Sequence, residues 1–132
     1  MTYELWILVT CALLGLLFPF VYNWHYGRQV GGKALLGNRD NLPERTGIAA
    51  RGHRAHQNHL ENLLPFAIVV LVINQAGISN AITIFGGLLF LIARIVHATT
   101  YIAGIPGPRS IAWFAGLIGT LLVASQLVYY IR

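Results

Sequence analysis

Polar and ionisable side chains interrupt two strongly apolar stretches of this 132-residue chain. Within each stretch they are spaced three or four residues apart, which places them on one face of a helix. Guanidinium, imidazole, amide and carboxylate groups can bind a polar ligand, and such groups at membrane depth indicate a functional site. One set consists of Arg54, Asn58 and Glu61, and the other of Arg94, His97 and Tyr101.

The composition is that of a membrane protein. Hydrophobic residues make up 56% of the chain and charged residues only 10%, which is too apolar for a soluble domain of this length. Long stretches without charge cover residues 5–27, 62–93 and 110–131. The sequence therefore predicts an integral membrane protein of the all-α class.

The number of helices follows from the length of a membrane crossing, which needs about 20 residues. The middle stretch is too long for one crossing, and the turn-like run 75–80 divides it. We therefore predict four helices at about 4–26, 56–76, 81–103 and 110–131, with a cytoplasmic loop at about 27–55. Residues 1–132 are expected to form one domain, a membrane four-helix bundle subunit.

The positive charges are unevenly distributed. Six of the nine lysines and arginines lie between the first two predicted helices, Arg109 lies between the last two, and the loop 77–80 has none. This distribution indicates cytoplasmic basic loops rather than nucleic-acid binding. It predicts a multi-pass protein of a bacterial inner membrane or an endoplasmic-reticulum type membrane, with both termini outside the cytoplasm.

The two polar sets are expected to meet at one depth. The fully apolar part of the second helix, 63–74, spans only about 18 Å, so the polar residues before it are drawn below the membrane surface. Counted from the turn between the second and third helices, Glu61 is about 17 residues away and Arg94 about 16. Two interpretations remain open: Glu61 and Arg94 form an ion pair that fixes helix register, or the polar groups together bind a ligand.

A third candidate position follows the run Gly104–Pro108, which ends the third helix. We expect Ser110 to cap the N-terminus of the fourth helix, where Arg109 and free backbone N–H groups would attract an anion. Alternatively, Arg109 is only a topology signal.

The sequence predicts neither thiol chemistry by the chain's own cysteine nor a metal site formed by its histidines. Cys11 is the single cysteine, so any thiol chemistry requires a thiol that arrives with a ligand. His53, His56 and His59 fan across a helix without a thiolate to complete a metal site, and no metal is expected.

The segments RAHQNHLENLLPF (54–66) and ARIVHATTYIAGIPGPRS (93–110) together resemble the MAPEG family, the membrane-associated proteins in eicosanoid and glutathione metabolism. Its members include microsomal glutathione transferases and microsomal prostaglandin E synthase. The resemblance implies a homotrimer of four-helix subunits, surrounded by membrane lipids, with glutathione bound between adjacent subunits near the cytoplasmic side.

The resemblance also implies roles for individual residues. Arg109, Ser110 and Tyr101 would stabilise the glutathione thiolate, which attacks a lipophilic electrophile or hydroperoxide. The glutathione-binding set that it implies is Arg28, Arg54, Asn58, Glu61, Arg94, His97, Tyr101 and Arg109. The implied activity is that of a glutathione transferase or glutathione-dependent peroxidase.

Two other classes of function compete with this one. A non-catalytic lipid-binding or scaffolding relative would keep the fold and the trimer without activating a thiol. A small four-helix drug/proton antiporter usually needs a carboxylate deep in the first helix, where this chain has only Glu4, near the helix start.

The charge distribution yields a topology prediction. Reporters fused to either terminus should be active outside the cytoplasm, whereas residues 30–50 should be cytoplasmic, because basic loops resist translocation. A C-terminal fusion in which a periplasmic-type phosphatase is inactive and a cytoplasmic reporter is active would contradict this orientation.

Overall fold

The computed structural model describes residues 1–130, which are 84% helical and contain no strand. Four long helices are α1 (Tyr3–Val30), α3 (Gly47–Gln75), α4 (Ala81–Ala103) and α5 (Pro106–Ser125). A short α2 (Gly32–Leu35) follows α1, and a 3-10 turn (Gln126–Tyr130) follows α5. The predicted all-α class is confirmed.

Among the described residues, three helices are long and apolar enough to cross a membrane: α1, α4, and α5 with the turn after it. The helix α3 is long enough but not apolar enough to count among them, because its N-terminal part is rich in arginine, histidine and asparagine. This polar part of α3 is where the first predicted polar set lies.

The helix boundaries differ from the predicted ones most at the start of α3, which begins at Gly47 rather than near residue 56. Ala49, Gly52 and Ala55 recur every third residue and are buried. A Cβ added at Gly52 would lie 3.0 Å from Tyr22 Cβ, so α1 and α3 pack closely there. The prediction, based on hydropathy, started the helix after the charged residues. In the structure the helix starts earlier, because its small residues pack against α1.

At the other end of the chain, α5 begins at Pro106 and ends at Ser125, whereas the prediction was 110–131. Residue 131 of that prediction lies outside the described residues. The helix α4 has the predicted bounds. It begins with a capping box between Asn80 and Thr83 and ends at Gly104, whose φ of 81° is the left-handed conformation that glycine adopts readily.

The end of the molecule near residues 77–80 contains a buried carboxylate that the sequence reasoning did not foresee. Glu4 is 1% exposed, and its carboxylate accepts hydrogen bonds from the hydroxyls of Ser79 and Thr83. These bonds join the start of α1 to the start of α4. They satisfy a polar group that would be expensive to bury alone.

The main core is formed by side chains of all four long helices, and within it the rings of Phe66 and Phe90 stack with centroids 3.9 Å apart. The closest helix contact is between α4 and α5. A Cβ added at Gly119 would lie 2.6 Å from the carbonyl oxygen of Gly86, and one at Gly86 would lie 2.8 Å from that of Gly119. Small residues at such a crossing let two membrane helices approach closely.

This contact predicts that Gly119→Ala destabilises the protein by roughly 1–3 kcal/mol, because the new methyl group meets backbone rather than a movable side chain. Gly116→Ala is the matched control, since its Cβ would be 3.6 Å or more from its neighbours. Thermal unfolding in detergent compares the two variants. Equal melting temperatures would show that the glycine contact does not set the α4–α5 distance.

Candidate functional site

A cavity of about 240 Å³ opens between α3, α4 and the first turns of α5. Five of its lining side chains belong to the polar positions that the sequence singled out. The lining residues are Asn58, His97, Tyr101, Arg109, Ser110, Trp113 and Phe114. The structure thus brings α3, α4 and the Arg109–Ser110 pair to one place.

Arg94 lies behind this cavity and holds two of its lining residues. Its side chain is 1% exposed, and Nη2 donates to Asn58 Oδ1 at 2.9 Å. The same nitrogen is 2.8 Å from His97 Nδ1. Because a guanidinium can only donate, Nδ1 must accept, and a neutral His97 therefore carries its proton on Nε2. Arg94 fixes both the position and the tautomer of the imidazole.

The predicted ion pair between Glu61 and Arg94 is wrong for a single chain. Glu61 is exposed, and the Arg94 atoms Nε and Nη1 have no hydrogen-bond partner within residues 1–130. Depth alone did not decide the pairing, because residues three apart on a helix differ in direction by about 60°. Asn58 takes the place at Arg94 that the prediction gave to Glu61.

Arg109 forms the cationic wall of the cavity. Its Cζ lies 4.6 Å from the centre of the Tyr101 ring, and that ring packs edge-on against His97 with centroids 5.4 Å apart. Cation–π contact holds a guanidinium over a ring face and leaves its N–H edge available for an anion. The arrangement provides a fixed positive charge beside a phenolic hydroxyl.

Ser110 is not the N-cap of α5. The N-cap is Ile105, which makes no side-chain capping bond, and Ser110 Oγ donates to the carbonyl of Pro106 at 3.2 Å. The helix starts earlier than predicted because Pro106 fits the first helical position, where its fixed φ is already helical.

The start of α5 also offers fewer free N–H groups than expected. The N–H of Ile105 donates to Thr100 at 2.9 Å, and Pro106 and Pro108 have no N–H. Of the N-cap and the first three helical residues, only Gly107 retains an uncommitted donor. Attraction of an anion at this point therefore depends on the Arg109 guanidinium.

Four residues of the predicted binding set do not line the cavity: Arg94, which lies behind it, and three residues farther away. Arg28, Arg54 and Glu61 are exposed, and none of them lines it. Arg54 lines a second cavity, next to the loop between α2 and α3. A single chain thus brings together the thiol-activating residues of the prediction but not its carboxylate- and amine-binding ones.

Sequence reasoning missed Trp113 and Phe114, although both follow the Arg109–Ser110 pair by one helical turn, a spacing that could have identified them. It also missed Arg51, whose Nε donates to the carbonyl of Ile102 at 2.8 Å at the end of α4. This bond secures the turn that leads to Arg109. Nothing in the sequence distinguished Arg51 from the other arginines of the basic loop.

The Arg94 geometry predicts which pairs are energetically coupled. Asn58→Ala and Arg94→Gln should deviate from additivity by 0.5 kcal/mol or more, whereas Glu61→Gln and Arg94→Gln should add to within about 0.5 kcal/mol. Two double-mutant cycles of thermal stability in detergent measure this. Coupling confined to the Glu61 cycle would restore the ion-pair interpretation.

Comparison with known proteins gives matches over much of the chain. The family model of the MAPEG family matches residues 3–129. Microsomal glutathione S-transferase 1 of Bos taurus is 38% identical over 79 residues, which is 59% of this chain and 51% of that protein. The Homo sapiens protein of the same name is 37% identical over the same shares.

Prostaglandin E synthase of Equus caballus is 30% identical over 77 residues, which is 58% of this chain and 50% of that protein. The chain thus spans about half the length of the relatives that it matches. The family match, in contrast, extends over nearly the whole sequence, and with three apolar helices it indicates an integral membrane protein. The chain belongs to the MAPEG family.

Proposed function

We propose that the protein is a membrane glutathione transferase or glutathione-dependent peroxidase, which activates the glutathione thiol for attack on lipophilic electrophiles or hydroperoxides. The observation that carries this proposal is the cavity in which the Arg109 guanidinium stacks on Tyr101 beside His97 and Ser110. The names of the matched relatives, glutathione S-transferase above all, support glutathione as the co-substrate.

The cavity favours the ionised form of a thiol. A thiolate beside Arg109 would gain a charge-assisted interaction with the guanidinium, and the hydroxyls of Tyr101 and Ser110 could donate to it. A free thiol with a pKa near 8.5 is about 3% ionised at pH 7. Lowering that pKa to about 6.5 gives about 75% thiolate, so ionisation alone contributes at most about 25-fold to the rate.

The chemistry that follows has two forms. With an electrophile, the thiolate sulfur forms a bond to carbon, and the leaving group departs with the displaced electron pair. With a hydroperoxide, the sulfur attacks the terminal oxygen and the O–O bond breaks. The resulting alkoxide takes up a proton to give the alcohol, and the glutathione sulfenic acid reacts with a second glutathione to give the disulfide and water.

The size of the cavity suggests that one subunit holds only part of glutathione. Its volume of about 240 Å³ is below the roughly 300–1,000 Å³ usual for ligand pockets of drug size. We assign the cavity to the cysteinyl part of the tripeptide. The carboxylates would bind the exposed Arg54 and Arg28, and the amino group would bind the exposed Glu61, across a contact with a neighbouring subunit.

The same exposure supports the homotrimer as part of the proposal. Glu61 lies on α3 next to the apolar stretch 63–73 and is not covered by its own chain. A carboxylate facing lipid is costly, so this face is expected to be covered by another subunit or a polar ligand. The four long helices would then form the bundle of one subunit, with both termini on the non-cytoplasmic side.

The role of Arg109 generates the test of this function. In Arg109→Ala, turnover of glutathione with a lipophilic electrophile should fall, and the ultraviolet absorbance of the bound thiolate should decrease, because the cation beside the sulfur is lost. Calorimetric affinity for S-methylglutathione, which cannot ionise at sulfur, should change little. Lys33→Ala is the control for loss of one exposed positive charge outside the cavity.

Each other result has a defined meaning. If affinity for both ligands falls equally, Arg109 holds a carboxylate rather than the thiolate. If affinity, thiolate absorbance and turnover are all unchanged, Arg109 is only a topology signal. Absence of turnover in the unmodified protein with every electrophile and hydroperoxide tried would favour a non-catalytic lipid-binding or scaffolding relative.

A further inference from the structure

A second cavity, of about 410 Å³, lies where the loop after α2 folds over α1 and the start of α3. Three guanidinium groups and one imidazole line it, against a single carboxylate, that of Glu44. The lining therefore carries an excess of positive charge. The basic lining residues are Arg39, Arg45, Arg54 and His53.

The loop that forms this cavity is fastened to α1. The Tyr26 hydroxyl donates to the carbonyl of Pro43, and Gln29 Nε2 donates to the carbonyl of Thr46 at 3.0 Å. In return the Thr46 N–H donates to Gln29 Oε1 at 3.4 Å. Both ends of the segment 43–46 are thus held by one helix, and the cavity is a built feature of the fold.

Arg45 is the most constrained cation of the lining. Its Cζ lies 4.8 Å from the centre of the Tyr26 ring and 5.5 Å from that of Tyr22. Its Nε is buried and has no hydrogen-bond partner within residues 1–130. Stacking uses the face of a guanidinium and leaves the N–H edge to bind an acceptor. The N–H edge of this half-buried guanidinium is thus available to an acceptor in the cavity.

Arg39 approaches from the loop itself. It is the one non-glycine residue with positive φ, 66°, among those described, and its Nε donates to the carbonyl of Leu35 at 2.7 Å. This bond fixes the stem of the side chain and leaves the terminal amino groups for other acceptors.

The electrostatic effect of the cluster is visible at His53, which precedes the predicted membrane span of α3. Burial and the charges of Arg45 and Arg54 lower the pKa of the His53 imidazole below its ordinary value. The positive charges of Arg45 and Arg54 disfavour a further cation at this position and favour an anion, whereas burial disfavours a charge of either sign.

We propose that this cavity binds a phosphate-bearing anion, either the phosphodiester of an anionic lipid head group or a free phosphate. Arginine forks match the geometry of phosphate oxygens, and basic pockets at the cytoplasmic ends of membrane helices bind anionic lipid head groups. Its position fits a lipid source, because Trp24, 69% exposed on the same end of α1, is typical of the membrane surface. The proposal does not depend on glutathione chemistry.

The test uses the full protein, purified in detergent and stripped of lipid. Native mass spectrometry measures the binding of phosphatidylglycerol against phosphatidylcholine, and calorimetry measures the binding of inorganic phosphate. Arg45→Gln should weaken the binding of the anionic probe about tenfold or more, since a hydrogen bond to a charged group contributes about 1.5–3 kcal/mol. Lys33→Gln, a basic loop residue outside the lining, should change nothing.

The two binding measurements distinguish an anionic lipid from a free phosphate as the ligand. Preference for phosphatidylglycerol without phosphate binding assigns the site to lipid, and phosphate binding with no lipid preference assigns it to a free anion. Equal binding of both lipids with no phosphate binding, or no effect of Arg45→Gln, overturns the proposal. If Arg45→Gln does not fold, Arg39→Gln, whose side chain is exposed, is judged by the same criterion.

A glutathione measurement distinguishes failure of this proposal from failure of the proposed function. Glutathione affinity should be unchanged in Arg45→Gln. A parallel loss of phosphate or lipid binding and of glutathione binding would make the cavity an extension of the glutathione site, and the proposal of a separate anion site would then be wrong.

Discussion

The hydrogen bonds of the buried Arg94 guanidinium are the constraint on which the candidate site depends. One nitrogen binds Asn58 of α3 and His97 of α4, so a single side chain sets the relative position of two helices and the tautomer of the imidazole. Burial of this cation, which is 1% exposed, is costly, and the hydrogen bonds to Asn58 and His97 offset part of the cost.

The remainder of the fold places Arg109 on the other side of the cavity. Contact at Gly86 and Gly119 brings α5 close to α4, and Arg51 secures the turn between them. The prolines at the start of α5 remove backbone donors, so the positive charge there comes from the Arg109 side chain. The close contact of α4 with α5 and the turn held by Arg51 together place the Arg109 guanidinium over the Tyr101 ring.

The residues of the site could be predicted from helical spacing, whereas their directions could not. The 3-4 rhythm from Arg94 to Tyr101 and the depth of the polar positions identified α3 and α4 as the walls of one site. Spacing did not reveal that Asn58 rather than Glu61 faces Arg94, because a rotation of about 60° about the helix axis leaves depth unchanged. The start of α3 was missed because hydropathy does not register the packing of Gly52 on Tyr22.

Most of the arginines that carry the two proposals line two separate cavities. The cavity at Arg109 is the smaller and is lined on one side by Trp113 and Phe114, whereas the cavity at Arg45 is larger and formed by a loop. Arg54 lines the second cavity together with Arg45, and Asn58, one turn later on α3, lines the first. The two cavities are therefore neighbours along α3.

Titration of the bound thiol is the most direct measurement of thiolate stabilisation, the central claim. Glutathione labelled with carbon-13 at the cysteine Cβ reports its own ionisation by NMR while bound to the unmodified protein. The account predicts a bound thiol pKa well below the free value of about 8.5. A bound thiol that titrates at about 8.5 or above would contradict it.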